Sequence, residues 1–162
     1  LSPYAFTKAK NIELLENLKK WNNIDCEVIY FYNVYGPNQI CNGDMATVVG
    51  IFEQHFKDKK PLPIVKPGTQ TRKFTHVKDI IKGCIIAWKK NKNGHYAVSN
   101  KNSYSIIQLA KMFNFKIKYL PKRPGERYSS VIVKRNLNNK IINIKAKICL
   151  KKYIKKFLDK NS

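Results

Sequence analysis

Apolar residues recur near helical spacing at Ala9, Ile12, Leu15 and Leu18, which predicts a helix over Tyr4–Trp21. Ser2-Pro3 supplies a capping hydroxyl and a proline for its first turn, and Asn22-Asn23 ends it. The run Cys26–Tyr35 is dense in Val, Ile, Tyr and Phe and reads as one largely buried strand, stopped by Gly36-Pro37. A second helix is predicted over Met45–Phe56, then a loop over Lys57–Pro61 and a short strand at Leu62–Val65. Pro67-Gly68 signals a turn, and Phe74–Val77 another short strand. Asp79–Lys89 reads as a helix with Ile80, Ile81, Cys84, Ile85 and Trp88 on its apolar face. Asn91–Gly94 is a polar turn before a strand at His95–Val98. Ser105–Phe113 is a helix capped by Ser103 or Ser105, Ile117–Leu120 a strand, and Pro121–Gly125 a turn. Ala146–Leu158 has the pattern of a terminal amphipathic helix. Strands alternating with helices indicate an α/β fold.

No apolar run approaches the roughly 20 residues a bilayer span requires. No membrane association is therefore expected, and no basic-then-apolar leader opens the chain, so a cytoplasmic location is expected. The 162 residues suit one domain, and 43% hydrophobic content supports a packed core.

A net charge of +22 suggests a polyanionic partner, but 28 of the 32 cations are Lys and only four are Arg. Phosphate and base readers favour the planar guanidinium fork. With 17 Asn and 19 Ile beside those lysines, coding bias accounts for much of the charge. A nucleic-acid-binding module without enzyme activity is thus a minor alternative. Cys26, Cys41, Cys84 and Cys149 form no C-x-x-C pair and the three His are scattered, so neither a metal site nor a disulfide is expected.

Four short segments carry candidate chemistry. Tyr4 and Lys8 stand at i, i+4 and share a helix face, where an ammonium favours a phenolate. Asn33 lies in Phe31-Tyr-Asn-Val-Tyr-Gly-Pro37, at the carboxyl end of a strand, where open α/β sheets bind ligands. Arg72 follows the turn Gly68-Thr-Gln-Thr, and Arg123 precedes Pro-Gly-Glu126. Arg suits a diphosphate and Glu suits sugar hydroxyls. Taken singly, each is also met by a solvated helix face, a turn-capping Asn or a surface ion pair.

The order of the segments is more specific. Ser2-Pro-Tyr-x-x-x-Lys8, Phe31-Tyr-Asn-Val-Tyr-Gly-Pro-Asn-Gln39, Pro61-Leu-Pro-Ile64, Gly68-Thr-Gln-Thr-Arg-Lys-Phe-Thr-His-Val77 and Tyr119-Leu-Pro-Lys-Arg-Pro-Gly-Glu126 succeed one another. This series resembles the extended short-chain dehydrogenase/reductases, among them the NAD-dependent nucleotide-sugar epimerases and dehydratases, with UDP-glucose 4-epimerases the nearest subgroup. The resemblance implies the C-terminal part of a Rossmann-type doubly wound sheet plus a small α/β substrate-binding subdomain. Residues 1–40 would be the remnant of the NAD-binding domain and 41–162 mainly the subdomain, with 74–98 returning to the Rossmann core.

It also implies roles. Tyr4 would be the catalytic acid/base, and Lys8 would bond the nicotinamide ribose. Phe31 and Val34 would approach the nicotinamide, with Asn33 on the substrate. Arg72 and Arg123 would clamp the nucleotide diphosphate, and Glu126 would bond the nucleotide ribose. The implied reaction is C4 epimerisation of a UDP-sugar, by hydride removal and return through NAD. A 4,6-dehydratase, decarboxylase or reductase of the same family is the alternative, and a homodimer the implied assembly.

Four places depart from the family pattern: Tyr30 where Arg is frequent, Lys73 and Lys78 where Asp is, and Ala46-Thr47 where epimerases often carry Asn. No G-x-G-x-x-G turn occurs, and the chain begins at Leu1. The expectation is a C-terminal half that alone binds NAD poorly and catalyses nothing.

Overall fold

The computed structural model describes residues 3–122, 135–136 and 139–161. The predicted turn Pro121–Gly125 and the residues Ser2, Arg123 and Glu126 lie wholly or partly outside them. The elements run α1 (Pro3–Asn22), β1 (Val28–Phe31), β2 (Asn33–Tyr35), α2 (Val48–Lys57), β3 (Leu62–Val65), β4 (Thr71–His76) and α3 (Val77–Lys90). They continue with β5 (His95–Ser99), β6 (Ser103–Ser105), α4 (Ile106–Phe113), β7 (Ile117–Leu120), β8 (Arg135–Asn136), β9 (Asn139–Lys145) and α5 (Leu150–Asn161). The fold is α/β, as the alternation of patterns predicts.

The predicted strand Cys26–Tyr35 is two strands in two sheets. β1 pairs in parallel with β5 in the four-stranded order β1-β5-β9-β8. β2 pairs in parallel with β4 in the three-stranded order β2-β4-β6. Tyr32 separates them, and the run is not largely buried: Phe31 is 53% exposed. β3 and β7 form a separate parallel pair.

Side-chain caps decide several boundaries. The second helix begins at Val48 rather than Met45, because the Thr47 hydroxyl accepts the Gly50 amide at 3.0 Å. α4 begins as predicted, on a capping box in which Ser105 and Gln108 each satisfy the other's amide. α5 begins four residues later than the Ala146 predicted. The Ala146 amide donates to Ser99 O, and those of Lys147 and Ile148 donate to the Asp79 carboxylate at 3.0 and 2.7 Å. These donors anchor the approach to α5 instead of starting it. β4 begins at Thr71, three residues before the predicted strand, because Thr71–Lys73 pair antiparallel with β6.

A hydrophobic core cluster gathers Tyr35, Phe52, Leu62, Ile64, Phe74 and Phe113 with Leu109, Leu150 and Ile154. It packs α2, α4 and α5 against β2, β3 and β4. Around the four-stranded sheet the packing has another character. α3 buries Ile80, Gly83 and Ala87, while Ile81, Ile85 and Trp88 are exposed, contrary to the face the sequence predicts. Gly83 is the reason: a Cβ there would stand 2.5 Å from Val98 Cγ2, so its absence lets helix and strand approach closely. α1 buries no residue. It is tied to the sheet by Glu16, which meets the buried His95 Nε2 at 2.9 Å, and by Lys19, which donates to Asn93 O at 3.4 Å. No helix among the described residues is long and apolar enough to cross a membrane.

Candidate functional site

The amino end of β2 opens onto a cavity of about 420 Å³, so Asn33 begins this strand rather than ending one as the sequence pattern predicts. Asn33 and Val34 from β2, Arg72 and Phe74 from β4, Thr47 before α2 and Gln70 before β4 line it. The parallel register Asn33↔Phe74 brings the two strands together there, and Arg72↔Tyr104 ties β4 to β6. Of the sequence-predicted site residues, the structure gathers Asn33, Val34 and Arg72 on one wall system. The cavity is mixed in chemistry. Apolar side chains such as Phe52, Phe74 and Ile106 meet a few polar groups, the composition typical of a small-molecule site.

Arg72 is oriented by its own turn, its Nη1 donating to Thr71 O at 2.9 Å. Thr47 does double duty: besides capping α2, its hydroxyl donates to Gln39 Oε1 at 2.8 Å. Gln39 Nε2 in turn donates to Glu53 Oε2 at 2.8 Å. This chain of bonds fixes the loop between β2 and α2, which forms one lip of the cavity. Burial pushes the Glu53 carboxyl above the usual carboxylate range, and its hydrogen bonds offset this only in part. The sequence marks Thr47 only through the Ala46-Thr47 departure from the family pattern, and does not mark Gln70 as a site residue. Thr47 could have been found as a hydroxyl before an apolar helical run, whereas nothing local marks Gln70.

Tyr4 and Lys8 stand on α1, with Lys8 Nζ 5.6 Å from the centroid of the Tyr4 ring. The pair therefore shares a face, as the i, i+4 spacing requires. Tyr4 is 71% exposed and lines no part of the Asn33 cavity. Phe31 is likewise outside it, at the exposed end of β1.

The departures from the family pattern have local uses. The Tyr30 hydroxyl meets His95 Nδ1 at 3.0 Å, so Tyr30 and Glu16 together hold the buried imidazole. Hydrogen bonds and charges from His95 and Lys19 outweigh the burial of Glu16 and hold its carboxyl below the ordinary range. Lys73 is buried, and its ammonium donates to Asn100 O and Lys101 O at 2.9 and 3.1 Å. It closes the carbonyl ends of the chain just after β5.

The family model for the NAD dependent epimerase/dehydratase family matches residues 1–100. The chain belongs to this family. A UDP-glucuronate 4-epimerase of Thermodesulfobacterium geofontis is 33% identical over 139 residues, covering 83% of the chain and 41% of that protein. A UDP-glucuronic acid decarboxylase of Arabidopsis thaliana is 30% identical over 97 residues, covering 60% of the chain and 28% of that protein. Among solved structures, a UDP-glucuronic acid 4-epimerase of Bacillus cereus in complex with UDP-glucuronic acid and NAD superposes with a TM-score of 0.77 at 25% identity. That match covers 98% of the chain and 52% of the Bacillus chain. The epimerase/dehydratase chain thus spans about half or less of the length of these relatives.

The family is NAD-dependent, and the residues present suit one end of that cofactor. An exposed Tyr–Lys face and the open carboxyl end of β1 suit a nicotinamide riboside. The glycine-rich turn that would seat a pyrophosphate on a helix N-terminus is not in this sequence.

Proposed function

We propose that this chain carries the acid/base helix and the nucleotide-sugar cavity of an NAD-dependent UDP-sugar 4-epimerase of the UDP-glucose/UDP-galactose type. The observation that carries the reading is the convergence of Asn33, Val34 and Arg72 on one cavity, in a chain that also bears the Tyr4–Lys8 pair. In this reading Arg72 binds the diphosphate, joined by Arg123, and Glu126 bonds the nucleotide ribose. A guanidinium fork suits the diphosphate better than the lysines that dominate the chain. Asn33 hydrogen-bonds the sugar, and the apolar wall of Phe52 and Phe74 excludes water.

NAD, when bound, supplies the hydride acceptor. Tyr4 takes the proton of the sugar hydroxyl and later returns it, while the Lys8 ammonium bonds the nicotinamide ribose. Phe31 and Val34 orient the nicotinamide. Residues 1–40 with 74–98 form the NAD-binding part and the rest mainly the sugar side. The assembly is a homodimer, and the location is the cytoplasm. A decarboxylase reading rests on the Arabidopsis match, whose covered share of the chain is smaller.

Calorimetric titration of UDP-glucose into the chain tests the reading. The expected result is one saturable site that Arg72→Ala weakens by roughly tenfold or more, the range of one charge-assisted phosphate contact. NAD alone should not bind at micromolar concentration. Unchanged affinity in Arg72→Ala would remove the diphosphate assignment.

A further inference from the structure

Six lysines surround an open cleft that shares no lining residue with the Arg72 cavity. The cleft, of about 760 Å³, lies where the Pro37-Asn38 turn, α2, the start of α3 and α5 meet. Lys57, Lys78, Lys147, Lys152, Lys156 and Lys160 line it. The sequence builds half of this arrangement with one helix. Lys152, Lys156 and Lys160 recur at i, i+4 and i+8 on α5, while Leu150 and Ile154 go into the core.

Like charges at that spacing destabilise a helix unless something neutralises them. Among the described residues none of the six lysines is in an ion pair; the ion-paired lysines are Lys10, Lys19 and Lys60. Among the described residues Glu53 is the one carboxylate on the cleft wall; burial pushes it above the ordinary carboxylate range, and the nearby Lys57 charge acts in the opposite sense. His76, Tyr153 and Phe157 add flat aromatic surface, and Lys57 Nζ stands 5.7 Å over the Phe157 ring.

Coding bias explains many lysines but not six that face one cleft. Lys151 and Lys155, on the same helix, are outside it. Ammonium groups are point charges without a preferred fork geometry and suit a ligand with many phosphate oxygens. The cleft volume lies in the range of small-molecule sites.

We propose that this cleft is a second ligand site and binds a small polyphosphate anion, carried by a nucleoside triphosphate or free as a short inorganic chain. This proposal is independent of the nucleotide-sugar reading. Calorimetry on the whole chain tests it, with inorganic tripolyphosphate and ATP as separate probes. Lys152→Glu with Lys156→Glu should weaken both by roughly tenfold or more, since two charge-assisted contacts are reversed. Lys151→Glu with Lys155→Glu makes the same change in net charge outside the cleft and should stay within about twofold of the parent. If the first pair does not fold by circular dichroism, Lys152→Gln with Lys156→Gln replaces it, with the same expected order. ATP bound more tightly than tripolyphosphate assigns the aromatic wall to the base; equal affinities assign the site to phosphate alone. Equal losses in the two pairs would overturn the proposal. So would tighter binding of an oligothymidylate at equal phosphate concentration, which would make the surface a diffuse nucleic-acid one.

Discussion

Replacing Gly83 with alanine sets two known effects against each other. In a solvent-facing helix the change stabilises by about 1 kcal/mol, because glycine loses more backbone freedom on folding. Here the added methyl would meet Val98 Cγ2 at 2.5 Å and Cγ1 at 3.2 Å. Ordinary carbon contacts lie at about 3.5–4.0 Å, so the nearest is short by about 1 Å. Val98 cannot give way: it is fully buried in β5 beside Tyr96 and Ala97, and its branched side chain is stiff at χ1. Overpacking of this kind costs about 1–3 kcal/mol. The clash outweighs the gain, and Gly83→Ala should destabilise by up to about 2 kcal/mol net, or about 2–4 °C in Tm per kcal/mol for this length. The assay is urea unfolding followed by circular dichroism, with the double-mutant cycle to Val98→Ala. With Val98 shortened, the same Gly83→Ala change should become neutral or stabilising. A stabilising Gly83→Ala in the parent background would refute the claim that α3 seats on β5 through this glycine.

Two further outcomes follow from buried polar groups. Burial holds the His76 imidazole below its ordinary value, with Asp79 acting in the opposite sense and Lys78 in the same, and its Nδ1 accepts the Lys78 amide as the cap of α3. A lowered folded value means stability that is full above about pH 6.5 and lost as pH falls through the folded value. Urea unfolding at pH 7.5 and 5.5 should show that loss, and His76→Asn, which keeps a capping acceptor without the titration, should show less of it. Asp79→Ala strands the Lys147 and Ile148 amides and should cost about 2–4 kcal/mol by the same assay, with α5 the first element to lose amide-exchange protection.

How much of the fold could be read along the chain depended on what each element buries. Leu62–Val65 and Ile117–Leu120 stand as their apolar runs predict, and α4 starts on the hydroxyl that its sequence offers. The Cys26–Tyr35 run hid a change of sheet, because a strand buried in either sheet has the same composition and nothing at Tyr32 marks the switch. On α3 the helical period selected the large residues Ile81, Ile85 and Trp88, yet the close approach to β5 is made by the small Gly83 and Ala87. Periodicity weights side chains by hydrophobicity, while close packing here needs the absence of one. At the site, motif order picked out Asn33 and Arg72 thirty-nine positions apart, and the β2–β4 register explains why they meet. Thr47 and Gln70 reach the same cavity from loop backbone, where no repeat exists to give them away.

The central claim is that the Asn33–Arg72 cavity holds the UDP-sugar. Amide chemical-shift mapping of the chain during a UDP-glucose titration tests it most directly. The account predicts saturable shifts concentrated at Asn33, Val34, Thr47, Gln70 and Arg72, needing roughly tenfold or more ligand in Arg72→Ala and unaffected by Lys152→Glu with Lys156→Glu. Shifts confined to Lys147–Lys160, or the same ligand requirement in Arg72→Ala, would contradict it.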